Sequence, residues 1–254
     1  MDIQFMSWNT RLYMQGNRID NKQERIDIQN ATQIIAIIKD HVDKQNGIAI
    51  LQEIPYKINY RYENIKKWEN HPVYNMLIKT FPNTEYDVLF DESYKWRIIQ
   101  TVIIAKRGLI QPNQKVQNNN IFYSFIVEDL ECLGIHSDDS FEIRKWIAGN
   151  SLHPNLIAGD FNAGNYLLEN KEKDKGIAIN RQNFLLLLEG YIDIFQGKIT
   201  TNYQNVAEQR QIDHVLLENS RKISEKYEYK NIRVDTRISL SDHYPLYWTL
   251  VKKI

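Results

Sequence analysis

Hydrophobic residues along the chain gather in short runs that are bounded by turn-forming residues. Apolar and β-branched runs of this kind, set between polar segments rich in Gly, Asn and Pro, are typical of β-strands. The pattern predicts strands at Ile3–Trp8, Ile48–Gln52, Ile98–Ala105, Phe122–Val127, Glu131–Ile135, Leu156–Ala158, Ile212–Leu217 and Leu246–Val251.

One stretch, ERIDIQNATQIIAIIKDHVD, has a different spacing. Its apolar residues recur at Ala31, Ile34, Ile35, Ile38 and Val42, which is the period of one face of a helix. The stretch therefore predicts an amphipathic helix. Further helices are predicted over Glu63–Lys79, Asp139–Ala148 and Arg181–Leu188.

The order of these elements indicates the fold class. Helices fall between strands early in the chain, whereas strands follow one another in the middle and at the end. This mixture favours an α/β fold of mixed sheets with helices outside over a purely parallel sheet. The charged stretch Leu167–Asn180 is predicted to be a surface loop, and Gln111–Asn120 a hairpin loop. Neither is typical of a linker, so residues 1–254 are predicted to form one domain.

The composition is that of a folded protein without a gross charge. Of the 254 residues, 43% are hydrophobic, which is enough for a substantial core. Lys and Arg together number 32, and so do Asp and Glu, so the net charge is zero. Gross basicity is therefore excluded as the basis of binding to DNA or membranes, whereas a local basic groove stays possible.

The chain contains a single cysteine, Cys132, which excludes an intrachain disulfide. A reducing compartment, and with it a cytoplasmic location, is therefore expected, while a disulfide-free exported protein stays open as the alternative. The first residues, MDIQFMSWNT, lack the basic and apolar regions of a signal peptide, so none is expected. The longest apolar runs are also too short to predict a transmembrane span.

Polar side chains stand where four of the predicted strands end. Open sheets place their ligand crevices outside the carboxyl ends of strands, and a buried strand has no packing reason to end in this way each time. Taken singly, each residue is also compatible with a turn, a strand exit or a helix cap. The strand-terminal groups are Asn9, Gln52, Glu53, His136, Asp160 and Asn162.

A charged residue lies inside the predicted strand QIDHVLLE. Burying a carboxylate there is costly unless it is paired, so Asp213 requires a partner. The imidazole of His243, in the segment SLSDHYPLYWTL, is the obvious candidate. The adjacent pair of Asp242 and His243 is open to two interpretations at this point, a capped turn or half of an active site.

These residues, in this order, resemble the endonuclease/exonuclease/phosphatase superfamily, the deoxyribonuclease-I-like phosphoesterases. The resemblance runs from residue 9 to residue 245, and its most specific part is GDFN followed near the C-terminus by SDHYP. It implies a four-layered α/β/β/α sandwich, with two mixed sheets packed face to face and helices outside. It also implies metal-dependent hydrolysis of a phosphate ester, with Mg²⁺ as the usual ion and Mn²⁺ as a possible one. The matching residues are Asn9, Gln52-Glu53, His136, Gly159-Asp160-Phe161-Asn162, Asp213 and Ser241-Asp242-His243-Tyr244-Pro245.

The resemblance also assigns roles to individual residues. Glu53 resembles the main metal carboxylate of the family, and Asn9 and Asp242 complete the metal neighbourhood. Asp213 resembles the carboxylate that orients the imidazole of His243. The roles of the remaining residues concern the substrate. Asp160 resembles the group near the attacking water or the leaving oxygen, while Asn162 and His136 resemble contacts to phosphate oxygens.

The first motif departs from the family pattern. Many nucleases of the family have Asn-x-Asn or Asn-x-Asp there, whereas this chain has NTR, which places Arg11 at the second polar position. This departure weakens the case for a second metal ion, and the number of ions, one or two, stays open. Arg11 could instead bind a substrate phosphate through a charge-assisted bond, or it could be an ordinary surface arginine.

Two stretches interleave aromatic and basic residues, YKINYRYENIKKW after Glu53 and YKWR at residues 94–97. Such stretches could line a nucleic-acid groove, with rings for stacking and cations for phosphates, and Tyr60 and Arg61 are the substrate-binding candidates. The alternative is that the rings pack internally and the basic residues form a solvated face.

Three functions stay open from the sequence. The favoured one is a nuclease that acts on DNA or RNA phosphodiesters. The second is a phosphatase or phosphodiesterase of a small molecule or a lipid headgroup, although no membrane-binding hairpin or amphipathic membrane helix supports the lipid version. The third is a catalytically inactive binding module, which would have no need for Asp213 behind His243. No protein partner is predicted.

Overall fold

The structure is a computed structural model that describes residues 2–12, 21–62, 65–93, 99–137, 139–163, 175–203 and 209–253. For residues 21–27, 58–62, 65–68 and 175–181 it describes the backbone alone. Within these ranges no helix is long and apolar enough to cross a membrane.

The strands of the described residues form two six-stranded sheets and a two-stranded hairpin. In the first sheet the strands are β1 (Asp2–Asn9), β2 (Gly47–Pro55), β5 (Tyr86–Leu89), β6 (Ile99–Lys106), β13 (Tyr227–Val234) and β14 (Leu246–Lys252). In the second they are β7 (Gln111–Pro112), β8 (Phe122–Val127), β9 (Leu130–His136), β10 (Leu156–Asp160), β11 (Tyr191–Asp193) and β12 (Asp213–Glu218). The first sheet has the order β13-β14-β1-β2-β6-β5, and the second has the order β11-β12-β10-β9-β8-β7. The hairpin consists of β3 (Lys57–Tyr62) and β4 (Ile65–Asn70).

Both large sheets are mixed. Strand β1 pairs with β2 in parallel, and β9 pairs with β10 in parallel, while the other described pairs are antiparallel. The carboxyl ends of a parallel pair lie at the same edge of a sheet, so each sheet brings two strand ends together. Every predicted strand overlaps an observed one, and the prediction of mixed sheets is confirmed.

The two sheets pack face to face through alternate residues of their strands. Because successive side chains of a strand point to opposite faces, Ile3 and Phe5 of β1 face the second sheet, and Met6 and Trp8 face the helices. In the layer between the sheets the ring of Phe5 stacks on that of Trp248, with ring centroids 5.0 Å apart.

Helices cover the outer face of each sheet, which confirms the predicted four-layered sandwich. Helix α1 (Asn21–Val42) and helix α2 (Pro72–Thr80) pack on the first sheet, and helix α3 (Ser140–Gly149) and helix α4 (Lys175–Leu188) on the second. The apolar residues that predicted α1 are all buried against the sheet. A short helix, α5 (Arg221–Lys226), precedes β13.

The helix predicted over Glu63–Lys79 is wrong in its first part. Residues 65–70 form strand β4, and helix α2 begins only at Pro72. Proline is suited to the first turn of a helix but disfavours helical backbone in the residue before it. His71 accordingly caps α2, and its ring nitrogen accepts a bond from the Val73 amide at 3.2 Å.

The surface loop predicted over Leu167–Asn180 is also corrected, since α4 begins at Lys175 and residues 167–174 lie outside the described part of the chain. The first two residues of the hairpin loop predicted at Gln111–Asn120 form strand β7, which pairs with β8. The rest of the predicted loop connects β7 to β8.

The imidazole of His41, at the end of α1, should make stability depend on pH. It is buried, its Nε2 lies 3.2 Å from the Ile48 carbonyl, and burial lowers its pKa to about 4. An unfolded histidine titrates near 6.5, so between these values the unfolded state binds the extra proton and stability falls as the pH drops. We expect a loss of up to about 3 kcal/mol between pH 7 and pH 4 from this residue alone.

Urea unfolding of the wild type and of His41→Gln at half-unit pH steps measures this effect. The difference between the two proteins in the free energy of unfolding should change with pH over this window and level off above pH 7. Parallel pH profiles for the two proteins would contradict the assignment.

Candidate active site

The strand-terminal residues of the two parallel pairs meet at one end of the layer between the sheets. Asn9 lies beside Gln52 in the first sheet, and Asp160 lies between His136 and Asp213 in the second. Strand alternation directs these side chains toward the opposite sheet, because they continue the series of residues that forms the inter-sheet core. The polar ends therefore come together above an apolar layer.

His243 and Asp213 form a buried pair. The Nδ1 atom of His243 lies 2.8 Å and 3.0 Å from the two carboxylate oxygens of Asp213, so it donates to them. The opposite nitrogen, Nε2, lies 3.8 Å from Oδ2 of Asp160. Burial alone would lower the pKa of His243, but the carboxylates of Asp213 and Asp160 outweigh it and raise the pKa to about 10. Asp213 thus holds a cationic imidazole in a fixed orientation.

Asn9 links the two sheets through its side-chain amide. Its Nδ2 donates to Oε1 of Glu53 at 3.1 Å and to Oδ2 of Asp160 at 2.9 Å. Oε1 of Glu53 also lies 3.5 Å from Nε2 of His136. Burial and the neighbouring carboxylate of Asp213 raise the pKa of Asp160 to about 6. The second sheet thus presents a carboxylate that can accept a proton near neutral pH.

Asn162 closes the turn after β10. Its backbone N–H donates to Oδ1 of Asp160 at 2.8 Å, and its side chain donates to the Ser137 carbonyl at 3.2 Å. The residue itself is exposed at the mouth of the site. The turn therefore fixes the orientation of the Asp160 carboxylate, while Asn162 stays within reach of a bound molecule.

Three residues of the site have left-handed backbone conformations. The φ angles are 45° at Arg11, 55° at Glu53 and 47° at Asn162. At Glu53 the pairing of β2 with β6 shifts register between Leu51 and Ile54, which is the mark of a β-bulge. Non-glycine residues in this region are strained and cluster at functional sites. No feature of the sequence indicated this strain.

The structure places Arg11 on Asp242. An Nη1 atom of its guanidinium lies 2.6 Å from Oδ2 of that carboxylate, although nearly half of the Arg11 side chain is exposed. Ser241 ties the same segment to β1, because its Oγ donates to the Asn9 carbonyl at 2.8 Å. Asp242 is thereby brought to the edge of the site next to Asn9.

The set of charges is suited to a divalent cation. Within the described residues the carboxylates of Glu53, Asp160, Asp213 and Asp242 converge on this end, and Arg11 and His243 supply the positive charge. Carboxylate and amide oxygens are the ligands that Mg²⁺ prefers. Asp160, Asp213 and His243 have ligand atoms within 4.8 Å of one another, but Asp213 already binds the imidazole. Glu53, whose hydrogen bond with Asn9 and ion pair with His136 both involve Oε1, is the better anchor.

Residues 200–203 form part of the site, and sequence reasoning missed them. The Thr200 carbonyl accepts from the Tyr244 amide at 2.7 Å, and the Asn202 amide donates to the Asp242 carbonyl at 2.6 Å. Burial and the carboxylate of Asp242 raise the pKa of Tyr203, so its phenol lies near the acidic end of the site. The polar sequence TTNY carries no pattern that distinguishes it from an ordinary loop.

The predicted substrate-binding stretches are described only in part. The backbone of Tyr60 and Arg61 lies in β3, their side chains lie outside the described part of the structure, and so do residues 94–97. The ring of Tyr56, from the first stretch, packs edge to face on Tyr74 and Phe90, with centroids 5.0 Å and 5.2 Å apart. Internal packing therefore accounts for this one ring.

Gly159, just before Asp160, should not tolerate a side chain. Its φ angle is +147°, and a Cβ atom would overlap the Ile135 carbonyl of the neighbouring strand. We expect Gly159→Ala to lower the free energy of unfolding by about 3 kcal/mol, because the clash is with backbone atoms. Urea unfolding measures this loss. Gly149→Ala at the end of α3 is the matched control, since a Cβ there meets open space, and it should change stability by less than about 1 kcal/mol. Equal stability of the two variants would disprove the predicted clash.

No protein-family model and no curated protein matches the chain. Solved structures match it over nearly its full length. The endonuclease domain of TRAS1, a telomere-specific non-LTR retrotransposon, gives a TM-score of 0.61 at 13% identity and covers 98% of both chains. An endonuclease/exonuclease/phosphatase from Bacteroides vulgatus gives 0.60 at 14% identity and covers 100% of both. A mannosyl-6-phosphatase from Bacteroides thetaiotaomicron gives a TM-score of 0.59 at 14% identity, and the match covers 98% of this chain and 99% of that protein's chain.

Similarity at this low identity establishes the fold. The chain has the deoxyribonuclease-I-like fold of the endonuclease/exonuclease/phosphatase proteins, as its motifs predicted.

Proposed function

We propose that this protein is a metal-dependent phosphoric ester hydrolase that cleaves phosphodiester bonds of DNA or RNA. The observation that carries the proposal is the buried pair of His243 and Asp213, which faces Asp160 next to the contact of Asn9 with Glu53. A site that only bound a ligand would gain nothing from an oriented imidazole opposite a second carboxylate. Such an arrangement is suited to proton transfer.

The metal would be held at the edge formed by the first sheet. Glu53 is its proposed main ligand, with Asn9 and Asp242 beside it, and Mg²⁺ or Mn²⁺ suits these oxygen donors. A bound divalent cation supplies polarisation of a phosphoryl oxygen and stabilises the charge that develops on it. The Arg11 guanidinium already neutralises Asp242 in part, which supports a single metal ion.

Asp160 at the end of β10 and His243 in the segment before β14 would carry the proton transfers. Asp160, held by the Asn162 amide and by Asn9, is placed to orient the attacking water and to accept its proton. His243 would present its Nε2–H to the phosphoryl group, because Asp213 occupies Nδ1. The two groups face each other at 3.8 Å, so a phosphate bound between the sheets would meet both.

The remaining residues of the site would bind the substrate. We assign His136 and Asn162 to phosphate oxygens, because side-chain N–H groups placed at those oxygens stabilise the charge on them. Arg11 is exposed enough to reach a second phosphate while it stays on Asp242. Tyr60 and Arg61 are assigned to binding of the nucleic-acid substrate by their sequence alone.

A second candidate is hydrolysis of a small-molecule phosphoester. Two observations favour it, namely the zero net charge of the chain and the mannosyl-6-phosphatase among its structural neighbours. The lipid-headgroup version has no support in the described surface. A nuclease is preferred because a nuclease domain of the same fold matches with an equally high TM-score and because the site carries an exposed arginine.

We also propose that residues 1–254 act as one domain, since the site takes groups from β1 as well as from the segment before β14. A cytoplasmic location is proposed on the single cysteine, which is buried in the inter-sheet core.

A substrate panel tests the proposed function. Single- and double-stranded DNA and RNA, bis(p-nitrophenyl) phosphate and a sugar phosphate are incubated with and without Mg²⁺, and nucleic-acid cleavage that needs Mg²⁺ is expected. Binding that weakens steeply with added salt would further favour nucleic acid. Turnover of the small esters alone would favour the second candidate, and no turnover of any ester would overturn both.

A further inference from the structure

A second buried histidine–carboxylate pair lies on the helix side of the same strand. His214 follows Asp213 along β12, so its side chain points to the opposite face of the sheet, toward α4. Its Nδ1 atom lies 2.8 Å from Oδ2 of Asp193. The side chains are 0% and 2% exposed, so the pair has no access to solvent and takes no direct part in the chemistry proposed above.

The other ring nitrogen of His214 reaches the turn that carries the proposed catalytic carboxylate. Nε2 lies 2.7 Å from the carbonyl of Ala163. A carbonyl only accepts, so Nε2 must carry the hydrogen. Ala163 directly follows Asn162, whose amide holds Asp160. His214 thus binds the last residue of the turn, Ala163, from the helix side of the sheet.

Aromatic packing strengthens this connection. The imidazole lies edge-on to the ring of Phe161, with centroids 5.3 Å apart, and against the ring of Phe184 at 4.4 Å. Phe161 stands between Asp160 and Asn162 in the turn. The turn is therefore fixed by His214 at two points, the carbonyl of Ala163 and the ring of Phe161.

Both oxygens of the Asp193 carboxylate are in turn hydrogen-bonded. Its Oδ2 accepts from Nε2 of Gln211 at 3.1 Å, and its Oδ1 accepts from the Phe195 amide at 3.0 Å. The carboxylate raises the pKa of His214 against the effect of burial, which agrees with an imidazole that donates at both nitrogens. A buried network in which both ring nitrogens and both carboxylate oxygens have partners is expected to be rigid.

Stability alone is a weak reason for such a pair. A buried ion pair can often be replaced by neutral groups of similar volume without loss of stability. The pair instead fixes the orientation of the imidazole ring, because both ring N–H groups point at defined acceptors.

We propose that His214, oriented by Asp193, is a positioning residue that fixes the turn from Asp160 to Ala163 and thereby places the Asp160 carboxylate for hydrolysis. The inference rests on the proposed function, and it adds a residue pair outside the reacting groups. The substrate would never touch either side chain.

The test uses the double variant His214→Phe/Asp193→Asn, which keeps the ring volume and leaves no unpaired buried charge. We expect kcat to fall at least about 30-fold with KM changed less than about threefold, because substrate binding does not need the pair. Leu187→Ala, in the same cluster under α4, is the matched control and should lose stability while its kcat stays within about threefold of the wild type. His214→Gln, whose amide can still donate to Ala163, should recover part of the lost rate.

Hydrogen exchange of the peptide that covers residues 159–163 gives a readout without activity. Exchange should rise in the double variant and stay at the wild-type level in Leu187→Ala. An active double variant with wild-type exchange would overturn the positioning role, and so would an equal loss of kcat in Leu187→Ala. If the wild type itself hydrolyses no phosphoester, the proposed function fails, and the exchange data alone decide whether His214 fixes the turn.

Discussion

Replacing His243 with alanine is expected to lower kcat by about 10³-fold, the range found for loss of a positioned acid or base. The imidazole is buried, and its Nε2 faces Asp160 while Asp213 holds its Nδ1. Its removal takes away both the proton carrier and the positive charge next to the phosphate. Steady-state hydrolysis of the best substrate of the panel at saturating Mg²⁺ measures the loss.

The same substitution leaves the Asp213 carboxylate buried without its partner, which costs roughly 3–5 kcal/mol of stability. The double variant His243→Ala/Asp213→Asn removes that charge, so it separates loss of chemistry from loss of fold. His153→Ala, on an exposed histidine after α3, is the control and should keep full activity. If the double variant were folded and turned over substrate at the wild-type rate, His243 would have no catalytic role.

Hydrophobic pattern was sufficient for most of the fold because the sheets are buried on both faces. Strands such as β6 and β10 contain continuous apolar runs, VIIA and LIA, and α1 repeats its apolar residues at the helical period. The hydrophobic pattern did not predict the strands in which packing imposes no regular spacing of apolar residues. Strand β13 lies at a sheet edge with half of its residues exposed, and it was not predicted. The hairpin of β3 and β4 was missed for the same kind of reason, since its polar residues fit a helix equally well.

The site shows a similar division. The residues brought together at the sheet ends were found in the sequence, because each follows an apolar strand and the strands end on one side. What the sequence could not show is how groups from distant segments meet. The contact of Arg11 with Asp242 joins residues 231 positions apart, and His214 reaches Ala163 across 51. Such contacts depend on how the two sheets and their loops pack, which is not encoded in local periodicity.

The second prediction of large effect concerns the metal. Glu53→Gln keeps the size of the side chain and can still accept the bond from Asn9, but it removes the negative charge. We expect the affinity for Mg²⁺ or Mn²⁺ to fall at least about tenfold and kcat at a fixed low Mg²⁺ concentration to fall by about 10³-fold, since a hard cation depends on carboxylate charge. Calorimetric titration of the metal-free protein with Mn²⁺ measures the first, and hydrolysis at graded Mg²⁺ the second.

Two further variants sharpen this test. Glu189→Gln replaces an exposed glutamate after α4 and should change neither quantity. Asp213→Asn tests the competing arrangement, in which the metal would lie among Asp160, Asp213 and His243. If Glu53 anchors the ion, Asp213→Asn should lower kcat through His243 and leave the affinity for Mn²⁺ within about threefold of the wild type. If instead Asp213→Asn abolished metal binding and Glu53→Gln retained it, the ion would lie in the second sheet. The imidazole of His243 would then be a ligand, and the proton transfers would need other groups.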